Sequence, residues 1–138
     1  MKMENKIDIE TAEREFFRFG DEMELDFNES EMNPEELETF TEIKSKMIKA
    51  QMNGSLVFND VGEPIFTPRR SGDVKPLHFR EPTGASLMAM DQKKQNQQVG
   101  KLQMVMGELS KRPPVTFAKL ALADFKVCSA IVTCFLGL

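Results

Sequence analysis

The sequence predicts an α+β fold: a small antiparallel sheet, made of a hairpin plus a third strand, with N-terminal helices and a C-terminal helical bundle. Three observations predict it. Apolar residues recur at helical spacing towards both ends, short β-forming runs flank a glycine-containing turn in the middle, and Pro, Gly and Asn separate these stretches. At 138 residues, 41% of them hydrophobic, the chain can bury a core without metal or disulfide support. Its formal charge of −4 is unevenly spread: residues 1–42 carry fifteen acids and four bases, residues 43–138 seven acids and fourteen bases. That step suggests an acidic helical N-terminal arm over 1–53, then a hairpin and strand leading into a helical domain over 54–138.

The first helix is expected from Asp8 to Phe19, with Ile9, Ala12, Phe16 and Phe19 on one face, Asp8 as N-cap and Gly20 as a left-handed C-cap. In the segment Asp21–Met32 acids alternate with Met23, Leu25 and Phe27, so it stays loose unless a partner covers its apolar side. A second helix is marked by Asn33, Pro34 and Glu36, a capping box with proline at the first helical position. Its stripe is Leu37, Phe40, Ile43, Met47 and Ile48, its charge runs from acidic to basic along the dipole, and Asn53-Gly54 ends it.

Leu56-Val57-Phe58 and Ile65-Phe66 flank Asn59–Gly62 as a hairpin, with Pro64 suited to a hairpin end or an edge. A third strand is expected over Val74–Arg80. Thr83 then caps a helix to about Asp91, and Gln92–Gln98 reads as a polar hinge. Val99, Leu102, Met106 and Leu109 form the next stripe, and Pro113-Pro114 ends it. A turn at Thr116–Leu120 leads into a last helix, Leu122–Phe135, apolar on most of its circumference.

Several classes of function are disfavoured. No window reaches the ~18 apolar residues of a membrane span, and the N-terminus lacks a signal-like apolar core. Cys128 and Cys134, on one helix, would stand about 9 Å apart along its axis, which suits buried reduced thiols rather than a bridge. His78 is the single histidine, and a solvent-facing structural role suits it best. Asp26, Asn28 and Ser30 start like a calcium loop, but Glu31 and Leu37 stand where glycine and the closing glutamate belong. Gly100-Lys101 has Gln95 in place of a phosphate loop's first glycine. The chain is therefore expected to be no enzyme and to need no cofactor. Arg69, Arg70, Lys75 and Arg80, with Phe66 and Phe79 interleaved, make a weak single-strand nucleic-acid surface. The alternative use of these bases is internal, as counter-charges for the acidic arm.

From His78 onward, His78-Phe79-Arg80-Glu81-Pro82-Thr83-Gly84-Ala85 resembles the strand-to-helix junction of Mu-like phage tail assembly chaperones. The order that follows is similar too: a polar hinge, a helix, Leu120 or Leu122, Asp124, and an apolar helix closing near Phe135-Leu136. The similarity spans residues 77–137, with Arg80, Glu81, Pro82, Thr83, Gly84 and Asp124 as its marker residues, and residues 1–70 have no counterpart in it. The resemblance implies a non-enzymatic protein of the host cell cytoplasm that coats the apolar helices of the tape-measure protein until the tail tube polymerises. Ten methionines suit a surface that repacks around varied apolar helices. On that reading Met88, Met90, Met104, Met106, Phe125 and Val132 supply a soft groove, and Asp21–Glu31 keeps the complex soluble or shields the groove. The expected partner is the tape-measure or another tail protein, with a homo-oligomer as a further expectation and neither nucleic acid nor membrane. Two other readings stand beside it: a tail or baseplate adaptor retained in the virion, and an acidic nucleic-acid mimic that inhibits a host protein.

Overall fold

The computed structural model describes residues 7–91 and 98–137. In chain order these form α1 (Ile9–Glu22), a short 3₁₀ turn (Glu29–Glu31), α2 (Pro34–Met52), β1 (Leu56–Phe58), β2 (Pro64–Phe66), β3 (Leu77–His78), α3 (Gly84–Asp91), α4 (Gln98–Ser110), α5 (Val115–Ala118) and α6 (Leu122–Phe135). The α+β reading holds: three antiparallel strands in the order β1-β2-β3 sit among helices. The hinge expected at Gln92–Gln98 lies, but for its last residue, outside the described residues.

α1 starts as expected, with the Asp8 Oδ1 accepting from the Thr11 amide at 2.8 Å. Hydrogen bonds from the Thr11 side chain and amide hold the Asp8 carboxyl below its ordinary value. Its end differs from expectation. The helix runs past Gly20 to Glu22, and Glu24, at φ 55°, takes the left-handed position. The Leu25 amide donates to the Gly20 carbonyl at 2.8 Å and the Glu24 amide to Asp21 at 3.2 Å, a Schellman closure. Gly20 is needed for another reason. A Cβ there would collide with the Phe27 ring, so the glycine opens the space into which that ring folds. Ile9, placed on the buried face by its spacing, is 53% exposed.

That folding-back corrects the loose acidic segment. Met23 is buried, Leu25 and Phe27 pack against the core, and Phe27 stacks on Phe16 with ring centroids 4.8 Å apart. The acids between them stay in water: Asp21, Glu22, Glu24 and Asp26 are exposed. The covering partner that the alternation required is the protein itself. Asp26 and Asn28 accept from the amides two residues on, so the pattern that starts like a calcium loop is a pair of local turns.

α2 carries the full capping box: the Glu36 amide donates to Asn33 Oδ1 at 2.8 Å, and the Asn33 amide to Glu36 Oε1 at 3.5 Å. Phe40, Ile43, Met47 and Ile48 are buried as their spacing implies, while Leu37 lies towards solvent. In the sheet, Leu56 pairs with Phe66 and Phe58 with Pro64, and β3 adds His78 opposite Ile65. Pro64 opens the central strand, where its missing N–H costs no ladder bond and its carbonyl accepts from the Phe79 amide at 2.9 Å. β3 is only two residues long, because Pro76 and Pro82 bound it and the backbone around Arg80 turns away to Leu109, donating to that carbonyl at 3.0 Å.

The core is continuous from one end of the described chain to the other. Ala12, Phe16 and Phe19 of α1 share one buried cluster with Phe40 and Met47 of α2, Leu56 and Phe66 of the sheet, and Ile131 and Cys134 of α6. Both cysteines are free and buried. Burial pushes the Cys134 thiol up to about 12 and the Cys128 thiol higher still.

Candidate partner-binding site

The junction that carries the family resemblance is built from backbone hydrogen bonds and a helix cap. After the Arg80 amide has bonded Leu109, the Glu81 amide donates to Glu63 Oε2 at 3.2 Å. Thr83 Oγ1 accepts from the Ala85 amide at 3.2 Å, and the Thr83 amide donates to Ser86 Oγ at 3.0 Å. Thr83 is thus the N-cap, holding the second helical amide, while Ser86 at the third position returns a bond to the Thr83 amide as in one half of a capping box. Ser86 is buried and donates in turn to Glu108 Oε2 at 2.6 Å, tying the start of α3 to the end of α4. Gly84 opens α3, with nothing within 4 Å of an added Cβ. Pro82 is half-buried ahead of it.

His78 lies in a small polar cluster rather than facing solvent alone. Its Nε2 meets Glu63 Oε1 at 2.8 Å, and Asn59 Nδ2 donates to the same Glu63 oxygen at 3.1 Å. Burial pushes the Glu63 carboxyl up, but hydrogen bonds from Asn59, His78 and the Glu81 amide outweigh it and hold the carboxyl below its ordinary value. Asn59 also caps the hairpin, accepting from the Val61 and Glu63 amides. The cluster fixes the hairpin to the junction. Among the described residues no group of three or more His, Cys, Asp and Glu is placed to hold a metal ion.

Asp124, the marker residue furthest along the chain, has a clear mechanical task. It stands in the first turn of α6, is 3% exposed, and receives the loop that follows β2. Oδ1 accepts from the Arg69 amide at 3.0 Å; Oδ2 accepts from the Arg70 amide at 2.9 Å and from the Ser71 amide and hydroxyl at 3.0 Å each. Ser71 Oγ also accepts from the Ala121 amide at 2.9 Å, so the clamp satisfies one open amide at the helix start. Neither Ser71 nor the amides that donate to Asp124 are visible in a linear reading, since they lie more than fifty residues away.

The six residues of the expected groove are not brought together on one open surface. Met106 and Val132 are fully buried, because each faces inward on a helix whose neighbours at helical spacing also line the core. Phe125 and Met104 are half-buried, and Phe125 packs against that core. The Met90 side chain lies outside the described residues. Met88 alone among the others is largely open, at 68% exposure on α3. α3 is apolar from Ala85 to Met90 except for Ser86, and its main packing partner is α4.

The weak nucleic-acid surface is corrected as well. Phe66 and Phe79 are both fully buried and cannot stack on bases. Arg69 and Arg70 are carried by the Asp124 clamp, whereas Lys75 borders a separate cavity with Arg112 and Lys119. Of the acids in residues 7–42, Glu29 reaches a base beyond residue 42 in the described ion pairs, meeting Lys44 at 3.5 Å. No described helix is long and apolar enough to cross a membrane. No family model, no curated protein and no solved structure matches the chain.

Proposed function

We propose that the protein is a non-enzymatic phage tail assembly chaperone, which binds apolar helical segments of the tape-measure protein in the host cytoplasm before the tail tube polymerises. The observation that carries this reading is α3: an apolar helix with Met88 in solvent, held at its start by the Thr83–Ser86 cap and the Ser86–Glu108 bond. A flexible thioether on a firmly anchored helix can repack against differing apolar partners. The client-binding surface narrows accordingly to the side of α3 that carries Met88. The exposed acids of Asp21–Glu31 keep the complex soluble.

Deleting residues 1–32 is no clean test of that acidic segment, since it removes Phe16 and Phe19 from the core. Co-expression with the tape-measure protein of the same genome, comparing wild type with Met88→Asp, is direct. Wild type keeps the client soluble, and the variant folds but loses much of that effect. A client equally soluble without the protein refutes the reading. Mass spectrometry of purified particles separates a chaperone, absent from the particle, from an adaptor present at fixed stoichiometry.

A further inference from the structure

Residues far apart in sequence build a basic cavity behind the Asp124 clamp. It has a volume of about 290 Å³, and Lys46, Lys49, Arg69, Arg70 and Lys126 supply its cations. Two come from α2, two from the clamped loop and one from α6, while Ala123 and Val127 provide an apolar floor. Asp124 is the single carboxylate on the lining, and its oxygens are already engaged by the loop amides and Ser71. Lys46, Lys49, Arg70 and Lys126 take part in none of the described ion pairs.

We propose that this cavity docks a short acidic segment of a partner protein, with carboxylates against the lysines and Arg70 and an apolar side chain on the floor. Charge complementarity selects an anionic occupant. The size suits side chains rather than a whole cofactor, since it lies at the lower limit of about 300 Å³ for small-molecule sites. A long polyanion is disfavoured by what adjoins it. A neighbouring cavity shares Lys49, Asn53 and Arg69 and carries Glu13 and Glu29, so a nucleic-acid backbone tracking onward would meet carboxylates. The clamp pre-organises the site, because three successive loop amides are fixed to one buried carboxylate before any partner arrives. This surface is separate from α3, and its test does not depend on the chaperone reading.

The test is fluorescence anisotropy on the full chain with a labelled peptide of about twelve residues in which glutamates alternate with leucines. A lysine-leucine peptide, a single-stranded oligonucleotide and inorganic phosphate are the controls. The acidic peptide binds saturably at low salt and weakens as ionic strength rises. Lys46→Glu combined with Lys126→Glu, both at exposed positions, lowers its affinity at least about tenfold while thermal unfolding stays unchanged. Glu13→Gln, next door, strengthens binding. No saturable peptide binding at low salt overturns the proposal, as do binding indifferent to the lysine reversals and oligonucleotide binding as tight as the peptide's.

Discussion

Replacing Asp124 by alanine removes one carboxylate and strands four donors. The Arg69, Arg70 and Ser71 amides and the Ser71 hydroxyl all lose their acceptor. A buried donor left unsatisfied costs about 1–3 kcal/mol. Arg69 and Arg70 are exposed and their amides can turn to water, so they fall at the low end, whereas Ser71 is buried and pays more. Asp124 also complements the start of the α6 dipole, worth about 0.3–1 kcal/mol. The expected loss is about 4–6 kcal/mol, which for a chain of this size lowers the melting temperature by roughly 15–20 °C. Urea and thermal denaturation followed by circular dichroism measure it. Asn is the sharper variant. One of its two terminal atoms is a donor pointed at donors, so Asp124→Asn loses nearly as much as alanine despite its equal size. An Asn variant as stable as wild type, or an alanine cost below about 1 kcal/mol, refutes the clamp as described.

Four further outcomes test other parts of the account. Glu24→Gly relieves a left-handed glutamate and raises stability by about 0.5–1 kcal/mol in urea melts, whereas Gly20→Ala lowers it by about 1–3 kcal/mol by driving a Cβ into Phe27. Gln51 is 3% exposed and its Nε2 has no partner, so Gln51→Met, of similar length, leaves stability unchanged or raises it by about 1 kcal/mol in the same assay. Because the Glu63 carboxyl is held below its ordinary value of 4.5, its contribution is full above that pH and is lost as pH falls through the lowered value. Stability against pH for Glu63→Gln therefore starts lower at neutral pH and falls less steeply in acid.

The elements legible in the sequence were those whose signals are local. The bounds of α2 and α6 follow from Asn33, Pro34 and Glu36 at one end of the chain and from the apolar run after Leu122 at the other. Gly20 misled because a glycine after an apolar stripe looks the same whether it closes a helix or admits a ring from beyond it. Phe27 decides that, through a tertiary contact. The acidic segment misled for a related reason: charge density predicts solvation, and the acids are solvated, but the three apolar residues between them are held by the core. As for the sites, the Thr83 cap was readable, and Asp124 stood out through the resemblance alone. Its partners were not readable, and neither was the basic cavity, whose cations come from three separated stretches.

The ring of Phe135 meets Phe19 at 5.3 Å, and Cys134 Sγ donates to Met47 Sδ at 3.6 Å, so the last helix completes the core of the first two. That arrangement has a consequence during synthesis. Until residues 122–135 have left the ribosome, Phe19 and Met47 lack their partners from the last helix, and loop closure across more than eighty residues must come before that side is covered. The exposed acids between these apolar residues give neighbouring nascent chains like charge over that stretch, which opposes their association.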